Sequence, residues 1–456
     1  MVNFASEVDK NNAFDSAHPS RKCKGSLDCN DPDPIFRHKV LVIIHKLAIS
    51  SWNRIPLTLC NKLHIKRISG ALTNAVYYVA PPEGYHAPKL LLRIYGPHVE
   101  LFINRQVELE NLKRLARHNI GPYLIGEFSN GRFEQYMEST TLTCKTIRDP
   151  KLSIYVGRRL CELHNFILLH PHEVLEMPAA WKNCLVWLPK AKAKILGRKH
   201  SLAITSEFMK TLEEDFNAYY NWFVEWSRDK KDWFGLKMVF SHNDTQYGNL
   251  LKIKAKKRSI PLSQKHRTLV PVDFEYAGPN LCAFDLANYF AEWMADYHHP
   301  THNYLMDRSR YPDFNARKLV YHAYVEQSAV INDLLEIEDA SLLKTDISDE
   351  LKNTFEKQIM NLEESVRAIS PAANIGWALW GILQCLEEDD EWEDLSVSSQ
   401  VADRPEKQLV EGSTVPPIGT SSFDYIGYSS EKFDLFYEGC AALGLNGRNR
   451  STFSYA

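Results

Sequence analysis

Strand-like segments crowd into the first third of this chain and helical ones fill the rest, and that segregation constrains the fold more than any other feature. Leu63–Ile68 ends in the turn Ser69-Gly70, Ala75–Val79 resumes β-branched and aromatic character, and Lys89–Tyr95 is a third strand closed by Gly96-Pro97. Val99–Arg117 has helical period, with Glu108, Leu112 and Leu115 on one face. Asn119–Pro122 stops it, and Tyr123–Phe128 and Arg132–Met137 read as two further strands around Ser129-Asn130-Gly131. Strands, a helix and more strands predict a compact lobe over 35–137. From Glu138 the pattern turns helical: Ser153–Leu169, Ser206–Arg228, Ala283–Tyr297, Asn315–Leu335 and Ser348–Ala368, then a helix opened by Ser370-Pro371 and running to about Leu386, and finally Phe423–Leu443. One β-like pair, Met238–Ser241 and Leu269–Phe274, interrupts this region. The expectation is an α+β fold of two lobes, a small β-rich one and a larger, mainly helical one over 138–456.

Two segments fall outside that pattern. Residues 1–34 are polar, with few aromatics, and read as a disordered tail. Glu387–Asp394 holds seven acids in eight residues, and Ser, Gly and Pro follow to about Thr420, so 387–420 reads as an acidic, flexible insertion.

The sequence also narrows the function classes. Nothing in a net charge of −3 points to nucleic acid, which would favour a basic surface, so any phosphate site must be local. The most apolar short run, Val40–Ile44, is stopped by His45 and Lys46, far short of a membrane span of about 20 residues. The N-terminus lacks a secretory pattern, and nine cysteines without paired spacing fit a reducing, cytoplasmic setting.

The chemistry concentrates in Phe240-Ser-His-Asn-Asp-Thr-Gln-Tyr-Gly-Asn-Leu-Leu251 and in Val272-Asp-Phe-Glu275. Asp244 and Asn249 lie five residues apart in a loop after a strand, and Asp273 ends an apolar strand. Phosphoryl transfer needs these residue types: a carboxylate to receive the proton of the attacking hydroxyl, and an amide oxygen with a second carboxylate to hold magnesium against the phosphates of ATP. The Asp-x4-Asn spacing is that of the protein-kinase catalytic loop, with Asp273-Phe-Glu in place of Asp-Phe-Gly. On its own, Asp-x4-Asn is common; the His-Asn-Asp lead-in and the later Asp make it specific. In the first lobe, the turn Ser69, Gly70, Ala71, Leu72, Thr73, Asn74 could cover phosphates with backbone amides, although most such turns are simple hairpins. Arg93 interrupts an apolar strand and needs a partner, and Glu108 on the next helix is the expected one, matching the kinase Lys–Glu pair. The run Phe133–Met137, with Gln135 and Met137, falls where the lobes join and could take the adenine edge.

These motifs, with Phe284-Asp285 and Asn288-x-Phe290-x-Glu292-Trp293, resemble the choline and ethanolamine kinase family. Ile68–Asn74, Leu91–Gly96 and Asn119–Pro122 resemble it too; the likeness runs from about residue 36 to 443, and Ile43–Leu57 resembles the N-terminal extension of fungal members. The resemblance implies a protein-kinase-like two-lobed fold and phosphorylation of choline, ethanolamine or both, with ATP and magnesium and often as a homodimer. It implies Asp244 as base, Asn249 and Asp273 as magnesium ligands with Gln246 nearby, and Ser69–Asn74 and Arg93 on the phosphates. It implies an amine site of Tyr276, Glu292, Tyr297, Trp377, Trp380, Phe423 and Tyr428. That set also suits the chemistry, because a quaternary ammonium has no N–H and binds to aromatic faces beside a carboxylate. Trp377 and Trp380 share a helix face, but their segment is apolar nearly all round, so a plain core role competes. Tyr123 and Tyr289 depart from the family's usual Arg and His. A scaffold without activity would be expected to lack part of the Asp244, Asn249, Asp273 trio, which is intact. His298, His299 and His302 read as a surface loop, and Lys252–Arg267, with seven Lys or Arg, as a solvated hairpin.

Overall fold

The computed structural model describes residues 21–70, 74–95, 105–196, 204–254, 260–397 and 423–445. Within them the strands are β1 (Arg21–Lys22), β2 (His64–Gly70), β3 (Asn74–Ala80), β4 (Leu90–Tyr95), β5 (Leu124–Phe128), β6 (Gly131–Gln135), β7 (Ser139–Thr141), β8 (Met238–Ser241), β9 (Leu250–Ile253), β10 (Leu269–Pro271) and β11 (Gly278–Leu281). The main helices are α1 (Asp33–Lys46), α2 (Arg105–Arg117), α3 (Pro150–Phe166), α4 (Ala179–Leu196), α5 (Ser206–Ser227), α6 (Cys282–Ala291), α7 (Phe314–Ile331), α8 (Asp349–Val397) and α9 (Tyr425–Ala442).

The first lobe is a six-stranded sheet in the order β1-β5-β6-β4-β3-β2, antiparallel except for the parallel β1–β5 pair. Because side chains alternate along a strand, β4 sends Leu90, Leu92 and Ile94 to one face and Arg93 to the other. The apolar face packs with Phe36, Val40, Ile43, Ile44 and Leu47 of the α1 region. Pro34 sits in the first turn of α1, where a missing N–H costs nothing, and Asp33 pairs with Arg37 at 2.6 Å. The expected tail is therefore corrected from Arg21 onward. Arg21 and Lys22 pair with β5, Leu27 is 3% exposed in this core, and the N–H of Leu27 donates to Asn130. Low average hydrophobicity concealed a few well-placed apolar contacts.

The second lobe is mainly helical and has its own core. Asp149 caps α3 by accepting from the N–H of Leu152, and Pro150 follows at the first turn. Gly157 lets α3 approach α7 closely: a Cβ there would lie 2.6 Å from the carbonyl oxygen of Val320. The predicted break at Ser370-Pro371 does not occur, and α8 runs through it. The Ser370 hydroxyl bonds back to the Val366 carbonyl. The Pro371 ring packs where Gly439 of α9 has no side chain; a Cβ on Gly439 would come within 2.9 Å of that ring. Continuing to Val397, α8 also enters the stretch expected to be a flexible insertion; residues 398–422 lie outside the described residues.

Two short ladders in this lobe do most to place the site. β8 pairs with β11, and β9 lies between β10 and β7. The expected partnership of Met238–Ser241 with Leu269–Phe274 is thus corrected: each pairs elsewhere. β11 contains Gly278 and Pro279 and carries no strand signal. The chain leaves β10 at Pro271 because Asp273 adopts φ +66°. The loop between β8 and β9 and the loop between β10 and β11 consequently emerge side by side. No helix among the described residues is long and apolar enough to cross a membrane.

Candidate active site

Asp244 and Asn249 come from the β8–β9 loop and Asp273 from the β10–β11 loop. The amide nitrogen of Asn249 donates to Asp244 Oδ2 at 2.7 Å and to the Asp244 carbonyl at 3.0 Å, and Gln246 Nε2 lies 3.3 Å from the same Oδ2. The N–H of Val272 donates to the Asn249 carbonyl, which fixes one loop to the other.

Behind this loop stands a carboxylate to which the sequence assigned no role. Asp285, wholly buried on α6, accepts the N–H groups of His242 at 2.7 Å and Asn243 at 2.8 Å, and its backbone carbonyl accepts the Thr245 hydroxyl. Asn243 holds φ +66°, an uncommon conformation for a side-chain-bearing residue, stabilised here by bonds from its amide to the Tyr276 carbonyl and from Asn280 to its own side-chain oxygen. His242 accepts from the Asp244 N–H at Nδ1 and donates from Nε2 to the Val272 carbonyl, so it serves as a neutral strut; burial lowers its pKa in accord. His164 of α3 completes the anchor, with Nε2 2.9 Å from Asp285 Oδ2. Burial alone would lower the His164 pKa, but the hydrogen bond to Asp285 wins and raises it to about 9. The signal that could have marked the role of Asp285 was a carboxylate on an otherwise apolar helix, which needs a buried partner.

The electrostatics suit a proton acceptor beside a cation site. Burial, then the charge of Glu292, push the Asp244 carboxyl up to about 7, with Asp273 adding to the effect. Burial and the charge of Asp273 push Glu275 up to about 8. Carboxyls driven towards neutrality by burial, and further by neighbouring carboxylates, are an arrangement a divalent cation relieves. Asn249 turns its NH₂ to Asp244, which leaves its carbonyl oxygen as a donor atom, and the Asp273 carboxylate is 31% exposed. These oxygen donors suit magnesium, although among the described residues no three His, Cys, Asp or Glu side chains cluster as a metal cage.

Arg93 lies on β4 and reaches across the lobes to Asp273, 3.1 Å away. The expected Arg93–Glu108 pair is corrected to a larger cluster. Arg132 stands directly opposite Arg93 in the β4–β6 register, and it is Arg132 that bonds Glu108 at 2.7 Å and Glu134 at 2.5 Å. Arg93 lies 3.5 Å from Glu134. The second arginine was invisible because its strand partner is set by register, not by sequence spacing. Ser69, Gly70 and Asn74 lie at the β2–β3 turn, while Ala71, Leu72 and Thr73 lie outside the described residues. Gln135 is tied to Tyr123 through its N–H and side chain, and Met137 accepts at its carbonyl from Ser139; both sit at the junction of the lobes.

The aromatic candidates converge. Tyr276 meets Trp377 edge-on at 5.4 Å and accepts the Trp380 N–H at 2.9 Å. Trp377 and Trp380 meet at 5.5 Å, and Tyr428 lies 6.3 Å from both Trp380 and Tyr297. Phe423 sits 5.6 Å from Tyr428, and the Tyr297 hydroxyl donates to Glu292 at 2.8 Å. Neither tryptophan is fully buried, so the rings can present a wall while packing against the core of the second lobe. The close approach of α9 to α8 depends on Gly381, which has no room for a side chain against Ser429 and Tyr428. Trp377 donates to Asn288, whose amide reaches Thr245 at 3.4 Å, so the wall is bonded to the Asp244 loop.

Sequence reasoning missed Tyr247, Tyr425 and Lys432. Tyr247 stacks on Tyr297 and accepts its N–H at 2.8 Å. Lys432 follows Tyr428 by one turn of α9. The expected helix Ala283–Tyr297 ends early: α6 stops at Ala291, a 3₁₀ turn carries Glu292–Met294, and Ala295 bridges to Met306. Tyr289 is core, bonded to the Ile147 carbonyl and Ser153.

Comparison with known proteins gives consistent results. The sequence model of the family described as choline/ethanolamine kinase matches residues 65–437, and that described as choline kinase N terminus matches 11–61. A choline kinase and an ethanolamine kinase of Saccharomyces cerevisiae are each 28% identical to this chain over 92% of its length, and the matches cover 78% and 79% of theirs. Among solved structures, a choline kinase from Cryptosporidium parvum superposes with a TM-score of 0.64 at 22% identity, covering 91% of this chain and 99% of that one. An ethanolamine kinase from Plasmodium vivax gives 0.60 at 17% identity, covering 88% of each. The shared fold is the protein-kinase-like one, with a β-sheet lobe on a helical lobe.

Proposed function

The chain belongs to the choline/ethanolamine kinase family, and from that premise we propose that it phosphorylates choline with ATP and magnesium to give phosphocholine, the opening step of a route to phosphatidylcholine. The observation that carries this reading is the wall of Tyr276, Trp377, Trp380 and Tyr428 beside Glu292, next to Asp244. A quaternary ammonium gains about 0.5 to 2 kcal/mol from each aromatic face it meets.

In this reading Asp244 takes the proton of the choline hydroxyl. The freed oxygen attacks the γ-phosphorus in line, the bond to the β–γ bridging oxygen breaks, and ADP leaves. Asn249 and Asp273, with Gln246 close by, would hold magnesium, which supplies charge neutralisation for the phosphates. Arg93 orients Asp273 and would contact the phosphates, which Ser69, Gly70 and Asn74 at the β2–β3 turn would help to cover. The anchor of Asp285, His164 and His242 keeps Asp244 in place, so that no reorganisation is needed as charge develops.

A second reading, ethanolamine as the preferred or an equal substrate, draws on Glu292, a carboxylate that ammonium N–H groups can use. ADP release measured with choline, with ethanolamine and without amine, at controlled magnesium, tests both. A kcat/KM preference for ethanolamine above tenfold overturns the choline reading.

A further inference from the structure

Lys432 is 0% exposed and stands inside the aromatic site with its ammonium 3.4 Å from Glu292 Oε1 and 5.5 Å from the centre of the Tyr428 ring. A buried ammonium is strongly disfavoured without a counter-ion, and among the described residues Glu292, itself 3% exposed, is within ion-pair distance. The Tyr297 hydroxyl also donates to the same carboxylate, 3.0 Å from Oε1 and 2.8 Å from Oε2. The protein therefore matches much of the charge of Glu292, and engages both its oxygens, before any amine arrives.

We propose that Lys432 sets the amine preference of the site, by occupying Glu292 so that the aromatic faces, and not the carboxylate, decide which ammonium binds. The proposal rests on the amine-kinase reading given above. A primary ammonium has three N–H donors and needs acceptors with charge and lone pairs to spare. A quaternary ammonium has no N–H and draws its affinity from aromatic faces, of which those of Trp377 and Trp380 remain for it while Lys432 lies over Tyr428. A cation already seated on the carboxylate thus works against the primary amine more than against the quaternary one, which is discrimination by a built-in competitor. The position follows from helix geometry: Tyr428 and Lys432 are four residues apart on α9 and share a face.

Lys432 acts through Glu292 and is a positioning residue. The test compares kcat/KM for choline and for ethanolamine, at saturating ATP and magnesium, in the wild type, Lys432→Met and Lys432→Arg. The ethanolamine-to-choline ratio should rise about tenfold or more in Lys432→Met, should stay within about threefold of wild type in Lys432→Arg, and the KM for ATP should hold in both. Should Lys432→Met not fold, Lys432→Gln reads the same ratio, since it keeps a donor to Glu292 without the charge. An equal loss on both amines, with the ratio unmoved, makes Lys432 a structural residue only and overturns the proposal. Wild-type protein that turns over neither amine overturns the amine-kinase reading itself, an outcome separate from an unmoved ratio.

Discussion

Nε2 of His164 lies 2.9 Å from Oδ2 of Asp285, both side chains are wholly buried, and the same carboxylate holds the backbone of His242 and Asn243. The residue that orients the Asp244 loop thus owes its own setting to a histidine on a different helix. With its pKa raised to about 9 in the fold against about 6.5 unfolded, His164 stabilises the protein fully below pH 6.5, and that contribution is lost as pH rises through 9. The shift corresponds to on the order of 3 kcal/mol. Thermal unfolding followed from pH 6 to 10 should show Tm falling across this window, and His164→Gln should flatten the fall. An unchanged slope in the variant would remove His164 from the anchor.

Asp244→Asn should cut kcat by about 10² to 10⁴ while leaving ATP affinity near wild type, because the variant keeps the hydrogen bonds of Asn249 and Gln246 but cannot take a proton. Initial rates and nucleotide binding by calorimetry check it. Near-full turnover would assign the proton acceptor elsewhere.

With Asp244 as the proposed proton acceptor, the pH profile should follow its carboxyl. Asp244 is held up at about 7 by burial first and by Glu292 next, so activity should fall on the acid side as the carboxyl protonates. Removing the neighbouring charge in Glu292→Gln lowers the Asp244 pKa, and the acid limb of kcat should move to lower pH. A limb that stays in place would show that another group controls it.

Trp380→Ala should raise the KM for choline by about 3- to 30-fold, the range expected for one cation–π face, and leave the KM for ATP unchanged. Steady-state kinetics with each substrate varied separates these. A matching rise in both constants would mean that Trp380, which also bonds the Tyr276 hydroxyl, supports the fold and not the amine site.

Gly157→Ala should destabilise the protein by about 1 to 3 kcal/mol, since the added methyl meets the Val320 carbonyl of α7. Chemical denaturation measures this. No change would mean that the α3–α7 contact yields readily.

Much of the architecture was legible because periodicity is a local property. All five strands foreseen in the first lobe lie within a few residues of β2 to β6, and helices such as α5 and α7 begin within a residue of their predicted starts. Partners set by register or by the far side of the chain were not legible. The bond of Glu108 to Arg132, the pairing of β8 with β11 and the His164–Asp285 contact join residues 24, 37 to 43 and 121 positions apart without any spacing rule. The end of α6 at Ala291 was hidden because Glu292–Met294 keeps a helical look while tightening to 3₁₀. Asp244, Asn249 and Asp273 were legible as types in a pattern; the loops that bring them together could be read only from the ladders.

One further consequence comes from α6. A single short helix carries Asp285, which anchors the Asp244 loop, and leads directly into Glu292, while Trp377, Trp380 and Tyr428 of the facing aromatic wall come from α8 and α9, which supply none of Asp244, Asn249 and Asp273. Mutations on α8 and α9 can therefore reshape part of the wall without replacing a residue of the loops that carry Asp244, Asn249 and Asp273, although the bonds from Trp377 to Asn288 and from Trp380 to Tyr276 tie the two together. A change of ring on α8 or α9 is thus felt at Asn288 and Tyr276 as well as in the wall.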